Sequence, residues 1–217
     1  MTDQNQTTVV ATPTPPAFFL LGLLPSIAIA TSLIKGLCIG VIVAVVFIAT
    51  SLICSLLRNR IAEAWRIPFL LTVSTLLTTL LQMNLAAFMF PVYAMLGLFV
   101  PLVAANGLIF TRGLSVAFER PVLTTLRDAV VLGVGIVVVL TLLGGLREII
   151  AYGTLFSGAE ALFGAQAKAW LSHPLPKNYS FILAGMAPGA LITLGILYAL
   201  KNLIWRGSQA DMPADAR

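Results

Sequence analysis

Long apolar runs, set apart by short clusters of charge, make up almost the whole chain. The longest runs from Ile67 to Thr111, 45 residues without a charged side chain between Arg66 and Arg112. A transmembrane helix needs roughly 20 apolar residues, because the hydrocarbon core is about 30 Å thick and a helix rises about 1.5 Å per residue. The run is too long for one crossing and about right for two. Asn84, Pro91, Pro101 and Asn106 lie within it and point to broken helices rather than plain anchors. The same division predicts six spans along the chain. The first is Ala17 to Ile34, interrupted by Pro25, and the second is Gly36 to Leu57, closed by Arg58 and Arg60. Two more share Ile67 to Thr111, dividing near Pro91. The fifth is Ala129 to Leu146, bounded by Asp128 and by Arg147 and Glu148; the sixth is Tyr179 to Leu200, between Lys177 and Lys201. The expected fold class is an all-α integral membrane protein. Its membrane domain covers residues 17–203, between polar tails at 1–16 and 204–217.

The two proline-containing spans, one and four, also resemble each other. Leu21-Gly22-Leu23-Leu24-Pro25 is echoed by Leu96-Gly97-Leu98-Phe99-Val100-Pro101. Small residues follow in each, Ala28-Ile29-Ala30-Thr31 and Val103-Ala104-Ala105-Asn106. The charged ends of spans two and five correspond as well, Leu57-Arg58-Asn59-Arg60-Ile61 with Leu146-Arg147-Glu148-Ile149. Three spans per half is an odd number, so two such halves sit upside down relative to each other. Inverted repeats with broken helices place their sites near mid-membrane, where half-helix ends meet.

Composition removes the soluble alternatives. Hydrophobic residues are 59% of the chain, charged residues 10%, and the mean hydropathy is +1.00, against about 25% charge in a soluble domain. The net charge of +5 could suggest nucleic acid. The basic residues sit at the ends of apolar runs, however, so topology accounts for them and the lipid bilayer is the expected partner. Arg58, Arg60, Arg66, Arg112, Arg120, Arg127, Lys201, Arg206 and Arg217 fall on one side of a six-span chain. Lys35, Arg147, Lys168 and Lys177 fall on the other, which predicts both termini in the cytoplasm. Residues Met1 to Pro16 contain Asp3 but no Lys or Arg, unlike a signal peptide.

Few side chains could carry chemistry. Cys38 and Cys54 are 16 residues apart in one run, about 24 Å along a helix, so they cannot pair or share a metal. They read as small buried hydrophobes. His173, the only histidine, precedes Pro174 in an expected loop. No Cys-x-x-Cys, phosphate-binding glycine loop or acidic pair inside an apolar run is present. Nor does an ionisable residue lie deep in an expected span, which counts against a stand-alone charge-coupled carrier. Span ends supply the candidates. Asn106 and Arg112 are central-site candidates in span four. An amide at membrane depth must have its donors and acceptors paired, so Asn106 either shapes a site in the broken helix or makes a cap or inter-helix hydrogen bond. Arg147 and Glu148, after Gly144-Gly145, are read as span-end structural residues. Neighbours in a helix do not face each other, so the two are expected to have different partners. Asp128 is placed at a helix N-terminus, where the macrodipole favours an acid.

Several ordered motifs identify a resemblance. They are Leu56-Leu57-Arg58-Asn59-Arg60-Ile61, Val100-Pro101-Leu102-Val103 leading to Asn106 and Arg112, and Asp128 with Leu132-Gly133-Val134-Gly135. Leu140-Thr141-Leu142-Leu143-Gly144, Arg147-Glu148-Ile149, Gly153-Thr154-Leu155-Phe156, Ala187-Pro188-Gly189-Ala190 and Tyr198-Ala199-Leu200-Lys201-Asn202 complete them. Together they resemble the E subunit of Rnf-type ion-translocating electron transport complexes. That subunit is homologous to the D subunit of sodium-translocating NADH:quinone reductases. The resemblance implies six helices in two inverted halves, helices one and four interrupted, in a bacterial inner membrane. It implies a homologous six-helix partner of opposite topology, and further partner subunits carrying flavins and iron–sulfur clusters. It also implies a [2Fe-2S] cluster held by two cysteines from each member of the pair.

The chain departs from that pattern at both ligand positions, where Leu24 and Gly107 stand in place of cysteine. Neither can ligate iron, which takes thiolates in such clusters. No cofactor or metal site is therefore expected within this chain. The family's Asn-Cys-x-x-x-Gly-Arg-Ala-Glu pattern becomes Asn106-Gly107-Leu108-Ile109-Phe110-Thr111-Arg112-Gly113-Leu114 here, so a glutamate is lost too. Three functions stay open on these residues. They are a subunit of an Rnf-like complex, a diverged paralogue acting as a small-solute transporter or channel, and a scaffold in another membrane assembly.

Overall fold

The computed structural model describes residues 24–164, 166–167, 172 and 181–210. His173, the first seven residues of span one and the N-terminal tail lie outside them, as do residues 211–217. The described residues form helices joined by short turns, without a β-sheet. In chain order these are α1 (Leu24–Ile29), α2 (Leu33–Leu57), α3 (Arg66–Phe88), α4 (Phe90–Leu96) and α5 (Phe99–Leu102). Then come α6 (Gly107–Arg112), α7 (Val122–Tyr152), α8 (Glu160–Phe163), α9 (Ile182–Gly185) and α10 (Ala187–Ala210).

Among the described residues, four stretches are long and apolar enough to cross a bilayer. They are Leu33–Arg60, Glu63–Phe88, Phe99–Ala117 and Val122–Tyr152, with a shorter apolar stretch at Pro188–Ala199. These match spans two to five, and the chain is an all-α, multi-pass membrane protein. The prolines explain several boundaries. Pro68, Pro91 and Pro101 each fall in the first turn of a helix, where a missing N–H costs nothing. Span four is interrupted as expected, at Asn106 rather than at Pro101. There a 3₁₀ turn (Val103–Ala105) gives way to α6, and a π-helical segment (Gly113–Ala117) completes the crossing. Span six is broken too, at the extended residue Met186 between α9 and α10, and α10 continues past Lys201 to Ala210.

Span five corrects the expected limits. Arg147, Glu148 and Asp128 do not bound it; all three lie inside one 31-residue helix, α7. The helix begins after Pro121 and ends where Gly153 adopts a left-handed conformation at φ 63°. Charge ends a span when it must reach water, and here Arg147 and Glu148 find their partners inside the protein.

The core is the pairing of α2 with α7. Ile39, Val43 and Phe47 of α2 are buried in one cluster with Ile136, Leu140 and Leu143 of α7. Glycines let the two backbones touch: a methyl group at Gly36 would strike the Leu140 carbonyl, and one at Gly144 would strike the Ser32 carbonyl. Lipid-like surroundings supply no hydrophobic drive between helices, so close packing at small residues has to hold them. The opposite side of α7 exposes Val130, Val134, Val138, Leu142 and Leu146 at four-residue spacing, a stripe suited to lipid.

Candidate functional site

Two consecutive residues of α7 organise the break between α1 and α2. The last carbonyls of α1 have no intrahelical partner and neither do the first N–H groups of α2. Arg147 serves the first set. Its Nη1 donates to the carbonyls of Ile27 (3.0 Å), Ala28 (3.3 Å) and Ala30 (2.9 Å). Its Nε donates to Ala184 O at 3.1 Å, and its Nη2 to Gly185 O at 3.0 Å and Met186 O at 3.1 Å. One edge of the guanidinium therefore closes the end of α1 and the other closes the end of α9. The side chain is 0% exposed.

Glu148 points the other way and serves the second set. It accepts from the Leu33 N–H, the first residue of α2, at 3.0 Å. It also accepts from the Ser157 N–H at 2.6 Å and from the Thr154 hydroxyl at 3.4 Å. Ser32 completes the cap, accepting from the Lys35 N–H and donating to the Ser157 carbonyl. Phe156 takes a left-handed φ of 66° just before Ser157, a conformation costing a non-glycine residue about 1–2 kcal/mol. The charge-assisted bond from Ser157 to Glu148 offsets it. Positive charge thus faces helix C-termini and negative charge faces a helix N-terminus, as the macrodipole favours. The expectation that the neighbours take different partners holds; that they lie at a solvated span end does not.

Asn106 ties the second break to the same place. It is 0% exposed. Its Oδ1 accepts from the Leu108 N–H at 3.1 Å and caps α6, while its Nδ2 donates to Ser26 Oγ of α1 at 3.4 Å. Of the structural roles open on the sequence, the cap and the inter-helix bond are both made. Helix α1 is thus gripped by Asn106 at Ser26 and by Arg147 at its last carbonyls. Leu24 lies in α1 and Gly107 opens α6, so both positions belong to these broken helices.

Arg112 ends α6, about 9 Å along the chain axis from Asn106. Asp128 is the seventh residue of α7, not at its N-terminus. The dipole argument does not reach it, since the effect fades within the first turn. It also lies about 28 Å along the helix from Arg147. Sequence reasoning passed over Ser26, Ser32, Thr154, Ser157 and the break at Met186. The break had a signal in Pro188, because a proline inside an apolar run interrupts a helix just before it. Ser32 had a signal as an N-cap before an apolar run, but its bond to Ser157 had none, because the two are 125 residues apart.

Cys38 and Cys54 are buried in α2 as free thiols. No cluster of three or more His, Cys, Asp or Glu side chains able to hold a metal exists among the described residues. The family's two ligand positions carry Leu24 and Gly107, which supply no thiolate.

The family model for "Rnf-Nqr subunit, membrane protein" matches residues 6–198. The chain belongs to the Rnf-Nqr family. Among similar proteins is the E subunit of the ion-translocating oxidoreductase complex of Pseudomonas aeruginosa (strain LESB58). It is 37% identical over 185 residues, 85% of this chain and 78% of that protein. The protein of the same name from Vibrio parahaemolyticus is 35% identical over 198 residues, covering 91% and 86%. The one from Shewanella oneidensis is 36% identical over 196 residues, covering 90% and 84%. In this Rnf-Nqr chain the two breaks, at residues 30–32 and at Asn106, converge on α1.

Proposed function

We propose that the chain is a membrane subunit of a redox-driven, ion-translocating electron transport complex, in the place that the E subunit holds in its relatives. The observation that carries this reading is 37% identity to a protein of that name over 85% of the chain. The geometry adds to it. Each half has a proline five residues before a break, Pro25 before Ala30 and Pro101 before Asn106. Each break ends on a side chain that accepts the next helix's N–H, Ser32 and Asn106. That correspondence supports six spans in two inverted halves, with span one completed by residues ahead of α1. The excess of Lys and Arg on one side supports both termini in the cytoplasm, the membrane being a bacterial inner membrane.

A homologous six-helix subunit of opposite topology completes the pair, with flavins and iron–sulfur clusters in further subunits. Leu24 and Gly107 leave this chain without thiolate ligands at the breaks. Its contribution is to hold α1, α6 and α9 in place, while electrons cross on groups held elsewhere in the complex. Asn106, Arg147 and Glu148 are the residues that do this.

Purification of the tagged chain from its native host in mild detergent, with mass spectrometry of everything recovered, tests the reading. Recovery of a homologous membrane subunit together with flavin- and iron–sulfur-binding subunits supports it. Recovery of the chain alone or as a homo-oligomer overturns it and favours a solute transporter on the same fold. Iron and sulfide bound stoichiometrically to the isolated pair would refute the loss of the cluster.

A further inference from the structure

The surroundings of Arg147 resemble an ion site more than an ion pair. Six carbonyl oxygens from two helix ends, at 2.9–3.3 Å, surround one guanidinium. All three nitrogens donate, so all five N–H groups of the fork have acceptors to hand. No carboxylate lies within salt-bridge distance of it among the described residues. An unpaired buried charge is costly, so the carbonyl dipoles have to supply the compensating negative potential. Unwound backbone carbonyls and half-helix C-termini supply such a potential for small cations in membrane proteins.

We propose that this carbonyl cage is a cation site of the fold, filled by the chain's own tethered guanidinium, which locks α1 to α9. The site takes a planar, multiply donating monovalent cation. Such a cation satisfies both helix ends at once: Nη1 toward α1, and Nε with Nη2 toward α9. The stem of Arg147 only delivers it. Cutting the side chain at Cβ should therefore leave a cage that accepts a free cation of the missing shape, and ethylguanidinium restores the atoms removed in Arg147→Ala.

The test is the melting temperature of the purified complex carrying wild-type chain, Arg147→Ala, Arg147→Lys or Arg147→Met, with ethylguanidinium or with choline at equal ionic strength. Arg147→Ala is expected to melt about 10 °C below wild type, a loss of several hydrogen bonds at roughly 2–4 °C per kcal/mol. Millimolar ethylguanidinium is expected to recover at least half of that fall, with no rise in the wild type and none with choline. Arg147→Lys, with three donors for six carbonyls, is expected to fall between the two. Arg147→Met fills the stem's volume without charge and should melt as low as Arg147→Ala, without rescue. If Arg147→Ala does not assemble, expression in ethylguanidinium should restore assembly, and failure in both conditions counts against the proposal. Equal response of wild type and Arg147→Ala to ethylguanidinium, or wild-type melting of Arg147→Met, overturns it. The subunits recovered are identified independently, so a failed cage leaves the proposed place in the complex standing.

Discussion

The same substitution at two glycines of α7 is expected to change stability in opposite directions. Gly135 has nothing within 4 Å of the position its Cβ would take, whereas a methyl at Gly144 would strike the Ser32 carbonyl. Alanine is favoured over glycine in a helix interior by about 1 kcal/mol. At Gly135 that gain stands alone, so Gly135→Ala should raise the melting temperature by about 2–4 °C at this chain length. At Gly144 the obstacle is backbone, which cannot swing aside as a side chain would. Overpacking costs about 1–3 kcal/mol, and the upper end applies where a backbone must move. Net of the helix gain, Gly144→Ala should lose about 2 kcal/mol and melt about 4–8 °C lower. It should also loosen the α1–α2 break, because Gly144 lies one turn before Arg147 and Glu148 on α7. Thermal denaturation of the purified complex, followed by intrinsic fluorescence, measures both. A shift of the two variants in the same direction, or Gly144→Ala melting at or above wild type, would refute the close-packing account of the α2–α7 pair.

Glu148→Ala should leave the half-buried Leu33 N–H without an acceptor, at about 1–3 kcal/mol, while the N–H of the exposed Ser157 can turn to water. Glu148→Gln, which keeps one oxygen, should lose about half as much; equal stability of all three forms would remove Glu148 from the cap. Asn106→Ala should cost about 1 kcal/mol through loss of the α6 cap. A double-mutant cycle with Ser26→Ala should return a coupling near 0.6 kcal/mol, the average for hydrogen bonds between membrane helices; zero coupling would mean that the two broken spans are not joined there. Cys38 and Cys54 are at most 7% exposed, so a membrane-impermeant maleimide should label neither in the native complex and both after denaturation. Labelling of Cys54 in the folded state would contradict its place between helices.

The membrane class and the approximate places of spans two to four were legible from charge-free length, because the bilayer fixes how many apolar residues a crossing needs. Helix α2 nevertheless begins before Lys35, and span four runs past Arg112 to Ala117. Pro91 marked the division of the longest run for the same local reason that places proline in a helix's first turn. The family too was legible, since motifs such as Arg147-Glu148-Ile149 survive in order along the chain. Charge misled at span five. A rule that treats each charge as a surface marker ended the helix at Asp128 and Leu146, yet α7 runs from Val122 to Tyr152. Whether a charged residue ends a span depends on what faces it, and that is a matter of tertiary contact.

By itself, then, the sequence determined that the chain is an all-α, multi-pass membrane protein and roughly where four of its crossings lie, because hydropathy and proline act locally. Only the tertiary structure decided what Arg147, Glu148 and Asn106 do. Their partners are backbone atoms, which every residue carries alike and no pattern of residue types can announce. Ile27 and Ala184 contribute carbonyls rather than side chains, and folding alone brings those carbonyls to one guanidinium.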